Sequence, residues 1–330
     1  MQANHSIGDS FISVVVPMYN SQDTIESCLD SLVNLDYPKN IYEIIIVDDN
    51  STDKSVDIVR SFVYANENIK LLRQSKSKKG PAAARNLGIR RAKGEILAFT
   101  DSDCIVPRGW LKRISNYFEK NSEVSAIGGS LIARSSNRFI TNCEGMISDC
   151  IGHKAKIATP NAAFRKNCIG KAGLFNESMV SGEDPDLVWN IEKAGFKVVF
   201  LKGLPVVHHY YRSTFSNFVK HHIWYGLGRV LLAKRHPEKF SFAERNFLLI
   251  LSFLLIVTLT IFLYSPFEDF QWAILLLSSF FIFSFGRRLK LISKISEKYG
   301  FINSIKCSSL FPVVDIANLY GMIKQKAMIK

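Results

Sequence analysis

Carboxylates gather at three points of this sequence where an apolar run begins or gives out. Asp48 and Asp49 follow Glu43-Ile44-Ile45-Ile46-Val47, Asp101 and Asp103 follow Ile96-Leu97-Ala98-Phe99, and Glu183-Asp184 opens the stretch GEDPDLVWN. Like charges this close repel unless a cation or water separates them. An Asp-x-Asp at the end of a buried strand suits a hard divalent ion, Mg²⁺ or Mn²⁺, which takes oxygen ligands and bridges them to substrate phosphates. The same residues suit a turn, because Asp and Ser are favoured at N-caps and turn starts. Asp184 carries a similar pair of readings. It precedes Pro185, with apolar Leu187 and Ile191 and a stop at Gly195, as a capping Asp would. A helix N-terminus also keeps a carboxylate ionised, as a general base requires.

The elements that must position these groups alternate. Ile12 to Val16, Glu43 to Val47, Lys70 to Leu72 and Ile96 to Phe99 read as strands, and 124–132 as an extended run. Between them, 22–33, a segment starting near Asp53, Pro81 to Ala92 and 107–120 read as helices, Pro81 standing in a first turn. Alternating strands and helices imply a mostly parallel sheet with helices on both faces, and ligands at the C-terminal strand edge. Both aspartate pairs fall at that edge. No Gly-x-Gly-x-x-Gly follows the first strand, which disfavours a dinucleotide site.

Charge and hydropathy are unevenly spread over the 330 residues. Residues 1–200 hold 25 Lys and Arg against 23 Asp and Glu, whereas 201–330 hold 17 against 6. Asn246 to Phe267 and Phe270 to Gly286 carry no charge over 22 and 17 residues, and the acidic Glu268-Asp269 lies between them. The first is long enough to span a bilayer and the second is at the lower limit. Basic flanks on both sides make this a membrane hairpin with its flanks cytoplasmic and its tip outside. The alternative is a pair of buried helices, although no polar face is present. Positive charge concentrated around apolar runs points to anionic lipids and away from nucleic acid. Six cysteines without metal-type spacing fit a reducing compartment, and MQANHSIGDSF shows no signal peptide.

The stretches VVVPMYNSQDTI, EIIIVDDNSTD, GPAAARNLGIRRAKGEILAFTDSDC and GEDPDLVWNIEKAGFKVVF, in this order, resemble glycosyltransferase family 2 over roughly residues 11–235. The resemblance implies a GT-A fold, a nucleotide-diphosphate sugar donor, inversion at the sugar, and Mg²⁺ or Mn²⁺. It places Pro17, Tyr19 and Asn20 beside the nucleotide, and Asp49 against the base with Asp48 next to it. Asp49 suits a pyrimidine or guanine ring N–H, so UDP, dTDP and GDP stay open. Arg85 falls near the nucleotide-sugar, Asp101 near the sugar or ribose, and Asp103 on the metal. Asp184 takes the general-base position. Asn161, in TPNAAFRK, matches the segment lining the donor or acceptor pocket, or is a turn residue after Pro160. His208 or His209 supplies a metal ligand or is a surface histidine; strand alternation aims only one of them at the site.

Processive members of the family carry Gln-x-x-Arg-Trp. Here KHHIWYGLGR keeps Trp224 without the Gln and Arg, so transfer of one or few sugars is expected. The expected organisation is a catalytic domain at 1–210, an amphipathic helical region at 211–245, the membrane hairpin at 246–286 and a basic cytoplasmic tail at 287–330. Apolar residues of 214–235 fall near one helical face, which either lies in the membrane interface or docks on the catalytic domain. An interfacial or re-entrant segment is expected at 307–323. Membrane proximity favours a polyprenyl-linked acceptor in surface-glycan or glycoprotein-glycan assembly. The competing functions are a nucleotidyltransferase, disfavoured because PMYNSQDT replaces a Gly-rich basic loop, and a non-catalytic membrane scaffold on a transferase fold.

Overall fold

The apolar runs become strands β1 (Ile12–Met18), β2 (Tyr42–Asp48), β3 (Ile69–Arg73) and β4 (Ile96–Phe99) in a computed structural model of the chain. The structure describes residues 10–75, 77, 80–133, 139–143, 146, 157–208, 214–240 and 288–329. Every residue of β1, β2 and β4 is buried, which is why these strands read as continuous apolar runs rather than alternating ones. Helices α1 (Ile25–Val33), α2 (Ser55–Ala65) and α3 (Pro81–Arg91) connect them. The later elements are β5 (Cys104–Ile105), α4 (Trp110–Lys120), β6 (Val124–Ala133), β7 (Ala162–Arg165), α5 (Lys166–Ala172), α6 (Glu183–Lys193) and β8 (Lys197–His208).

The sheet order is β3-β2-β1-β4-β7-β6-β8-β5. Its first half is parallel, as expected, with Ile12 opposite both Tyr42 and Ile96. Beyond β4 the expectation of a mostly parallel sheet holds only in part, with β6 parallel to β8. β7 is antiparallel to β4 and to β6, and β5 is antiparallel to β8, so the sheet is mixed. The reversal has a consequence for the site. Because Phe99 pairs with Ala162, the residues entering β7 lie at the same edge as those leaving β4.

Ile25, Leu29 and Leu32 of α1 and Trp110, Leu111, Ile114 and Phe118 of α4 pack with Val14, Val16, Ile44 and Ile46 in one core. Each such side chain contributes roughly 1.5–3 kcal/mol by leaving water. Helix α3 packs unusually close to the sheet. Its buried face is Ala82, Ala83, Ala84 and Gly88, and a Cβ on Gly88 would collide with the Val15 side chain. Small residues here let α3 lie flat enough for its one buried arginine to reach the strand edge.

The chain divides into two units, Met1–Ser136 with Gly152–Tyr211, and Asn137–Ile151 with Arg212–Lys330. The first contains the sheet. The second contains α7 (Phe215–Arg235), α8 (Leu289–Tyr299), α9 (Phe301–Ser308) and α10 (Phe311–Ile329). Thr214 caps α7, its hydroxyl accepting from the Asn217 N–H at 3.2 Å. α7 and α10 touch backbone to backbone, with Gly226 against the Asn318 carbonyl and Gly321 against that of Ile223. Asp315, the one charge within 307–323, is buried and receives two hydrogen bonds from Arg288, at 2.6 and 2.8 Å. Among the described residues no helix is long and apolar enough to cross a membrane. The expected hairpin at 246–286 and His209 lie outside the described residues.

Candidate active site

A cleft of about 680 Å³ opens at the C-terminal ends of the first strands. It is lined by Pro17, Tyr19, Asn20, Asp49, Arg85, Asp101 and Asp103 among others, so seven of the residues singled out from sequence meet in one place. Its first wall is the exit from β1. Asn20 takes a left-handed backbone, φ 48°, and its side-chain oxygen accepts from the Thr52 N–H at 2.8 Å. This joins the loop after β1 to the loop after β2. Tyr19, beside it, is 59% exposed.

The adjacent aspartates after β2 do different work. Asp48 is buried, and its Oδ1 accepts from the Ser51 N–H at 2.9 Å. It does not line the cleft; it closes the turn. Asp49 does line the cleft, and its Oδ2 accepts from the Gly80 N–H at 2.7 Å, at the start of α3. The residue expected to read the base is therefore tied to the helix that carries Arg85.

Arg85 is 3% exposed, and its guanidinium is committed to carboxylates. Nη2 donates to Asp101 Oδ1 at 2.9 Å and Nη1 donates to Glu183 Oε1 at 2.8 Å. Asp184 Oδ1 lies 3.7 Å from Nη1. Burial alone would ease the proton off this guanidinium, but Asp101, Asp184 and Glu183 hold its pKa above the usual arginine value. Three carboxylates share one cation, and the imbalance falls on Glu183. Burial, and then the Asp184 charge, push the Glu183 carboxyl up to about 7, with Arg85 opposing. Next to Arg85, Asn86 clasps the backbone of Phe175, donating to its carbonyl at 2.8 Å and accepting from its N–H at 3.0 Å.

Asp101 and Asp103 point to different partners. While Asp101 meets Arg85, Asp103 Oδ1 lies 3.5 Å from His208 Nε2, because β5 pairs with the end of β8 and sets Cys104 opposite His208. Ligand atoms of Asp103, Cys104 and His208 all fall within 4.8 Å of one another. Burial, followed by the Asp103 and Asp101 charges, raises the Cys104 thiol well above its usual range. The carboxylate and the imidazole are the harder donors of the three. Oxygen plus imidazole suits Mn²⁺ better than a site of thiolates would, so these residues fit the expected metal.

Two further positions differ from a plain reading of the sequence. Asp184 is not the N-cap of α6. That position belongs to Gly182 in a left-handed conformation, φ 82°, and the Asp184 carboxylate turns aside to accept two hydrogen bonds from Thr159. Asn161 is fully buried and does not line the cleft. Its Nδ2 donates to the carbonyls of Ser130 and Leu204, and its Oδ1 accepts from Trp110 Nε1 at 3.0 Å. It ties the strands together behind the site. The sequence left Glu183 in the background and did not point to Thr159 or Cys104. Their roles depend on which distant residues they meet.

Residues 13–176 match the family model Glycosyl transferase family 2, and residues 96–285 match Glycosyl transferase family group 2. Glycosyltransferase AglE of Haloferax volcanii is 30% identical over 196 residues, which are 58% of this chain and 64% of that protein. Over 273 residues the chain is 26% identical to a Methanococcus voltae enzyme named dolichyl N-acetyl-alpha-D-glucosaminyl phosphate 3-beta-D-2,3-diacetamido-2,3-dideoxy-beta-D-glucuronosyltransferase, covering 77% of this chain and 84% of that one. The fold is similar to that of mannosyltransferase PcManGT from Pyrobaculum calidifontis, solved with GDP-Man and Mn²⁺. Its TM-score is 0.62 at 19% identity, covering 91% of this chain and 86% of that one. A family model that takes in more than half of the chain, joined to this fold, establishes that the chain belongs to the family 2 glycosyltransferases of GT-A fold.

Proposed function

We propose that this protein transfers a sugar, with inversion, from a nucleotide-diphosphate sugar to a hydroxyl or phosphate of a membrane-held acceptor. The observation that carries the reading is the Arg85 junction. It links the donor side of the cleft, Asp101, to the Glu183-Asp184 pair through one buried guanidinium. Asp49 accepts from a ring N–H of the base, and Asp101 holds the sugar or ribose. Asp103 and His208 hold Mn²⁺ or Mg²⁺, which when bound offsets the charge of the departing diphosphate. The Asp184 carboxylate takes the proton of the acceptor hydroxyl as its oxygen bonds to the anomeric carbon and the bond to the diphosphate breaks. The products are the glycosylated acceptor and the nucleoside diphosphate, and no covalent enzyme intermediate forms.

The acceptor is read as lipid-linked and the chain as held at a membrane by 246–286. The charge-free runs support this, as do exposed Phe301, Ile302, Ile305, Ile316, Tyr320 and Ile323 on α9 and α10. The name of the Methanococcus relative, which contains a dolichyl phosphate, agrees with it. The test is calorimetry of UDP, dTDP, GDP and CMP on the detergent-purified full chain, with Mn²⁺ and with chelator. One diphosphate should bind tightly with metal and only weakly in chelator. Folded protein that binds none of them lacks a donor site, and the scaffold reading then replaces this one.

A further inference from the structure

We infer that Thr159 is a positioning residue that holds the Asp184 carboxylate away from Arg85, and so keeps it available as the base. This rests on the reading of Asp184 as the general base. The Thr159 N–H and hydroxyl both donate to Asp184 Oδ2, at 3.0 and 2.9 Å. Thr159 is itself buried, so this two-pronged grip faces no competition from water. The other oxygen, Oδ1, makes no hydrogen bond although it is buried. It stops 3.7 Å from Arg85 Nη1, beyond hydrogen-bond reach. A buried carboxylate oxygen beside a guanidinium would ordinarily close to a bonded ion pair. Here the two bonds on Oδ2 fix the plane of the carboxylate, and Nη1 is already donating to Glu183.

Thr159 is itself placed by the donor side of the site. It opens a single turn, Thr159–Asn161, whose next carbonyl, that of Pro160, accepts from Thr100 Oγ1 at 3.0 Å. Thr100 is the residue between β4 and Asp101. The last residue of the turn, Asn161, is anchored to Ser130, Leu204 and Trp110. The turn therefore sets the base by reference to the strand end that carries Asp101. Removing the Thr159 hydroxyl lets the carboxylate rotate onto Arg85, where an ion pair would spend its lone pair and weaken it as a proton acceptor.

The test uses the full chain in detergent with Mn²⁺ and three donors, UDP-glucose, UDP-N-acetylglucosamine and GDP-mannose, water serving as acceptor. In this reaction the water oxygen bonds to the anomeric carbon, its proton goes to Asp184, and the nucleoside diphosphate leaves. Thr159→Val should lower kcat about tenfold, the cost of one hydrogen bond to a charged group, while KM for the donor and nucleotide affinity stay unchanged. Thr159→Ser should restore kcat. Where Thr159→Val is not recovered folded, Thr159→Ala is compared with Thr159→Ser in the same way. A Thr159→Val enzyme with wild-type kcat beside an inactive Asp184→Asn overturns this inference and leaves the base reading intact. An active Asp184→Asn removes the base reading and this inference with it.

Discussion

Arg85 and Glu183, 98 residues apart, form a buried ion pair of 2.8 Å, with Arg85 lining the candidate site. The pair is not balanced, because the same guanidinium also serves Asp101 and faces Asp184. That imbalance gives the site a pH signature. The Glu183 carboxyl is raised from 4.5 to about 7 in the folded protein, so the native state holds a proton that the unfolded chain releases. Where the native state binds more protons, stability falls as pH rises. The stabilising effect of that proton is full below about 4.5 and is lost as pH rises through about 7. Glu183→Gln, which keeps the shape and removes the titration, should flatten the fall in Tm across that window. A variant whose Tm tracks wild type at every pH would assign the slope to another group.

Loss of Arg85 should be far more damaging than loss of Glu183. Arg85→Met leaves Asp101, Glu183 and Asp184 facing one another without a cation, and breaking a buried pair from one side costs about 3–5 kcal/mol. Thermal unfolding should show a drop that is larger at pH 8 than at pH 6, because protonation relieves the repulsion. Arg85→Lys keeps the charge but cannot donate to Asp101 and Glu183 through a planar fork. It should recover part of the stability and little donor turnover.

Asp103→Asn and His208→Ala should each weaken nucleotide binding in Mn²⁺ by about tenfold or more, a difference of about 1.4 kcal/mol. Neither should change the weak binding that remains in chelator. Calorimetry with and without Mn²⁺ reads both quantities. Unchanged Mn²⁺ dependence in both variants would take the metal away from the pair that β5 and β8 bring together.

Gly226→Ala and Gly321→Ala test the second unit without touching the cleft. At each position a Cβ would collide with backbone of the opposing helix, at Asn318 and Ile223 respectively. Backbone cannot yield as a side-chain tip can, so each should cost about 1–3 kcal/mol. Differential scanning calorimetry should show this loss with donor affinity retained. A neutral Gly321→Ala would mean that α7 and α10 separate easily.

Much of the architecture was legible because the strands are buried on both faces. Continuous apolar runs such as Ile44-Ile45-Ile46-Val47 and Ile96-Leu97-Ala98-Phe99 mark themselves, and Pro81 after Gly80 marks a helix start. The aspartates that stop those runs were visible for the same reason: charge ends an apolar stretch abruptly. β7 was not legible. Four residues that run against their neighbours carry no periodic signal, and their pairing is set by distant partners in β4, Ala98 standing opposite Ala163 and Leu97 opposite Phe164.

The sequence by itself determined which side chains arrive at the cleft edge, because local patterning decides where each strand ends. It did not decide what those side chains do there. Asp48 and Asp49 are neighbours of identical chemistry, yet one closes a turn and the other faces the cleft. Asp101 and Asp103 invited one cation between them, yet one meets Arg85 and the other His208. Asp184 carried the pattern of a helix cap, and Thr159 turned it elsewhere. In each case the deciding partner comes from another part of the chain. Burial then makes the choice binding, since a carboxylate removed from water must take whichever donors the fold brings to it.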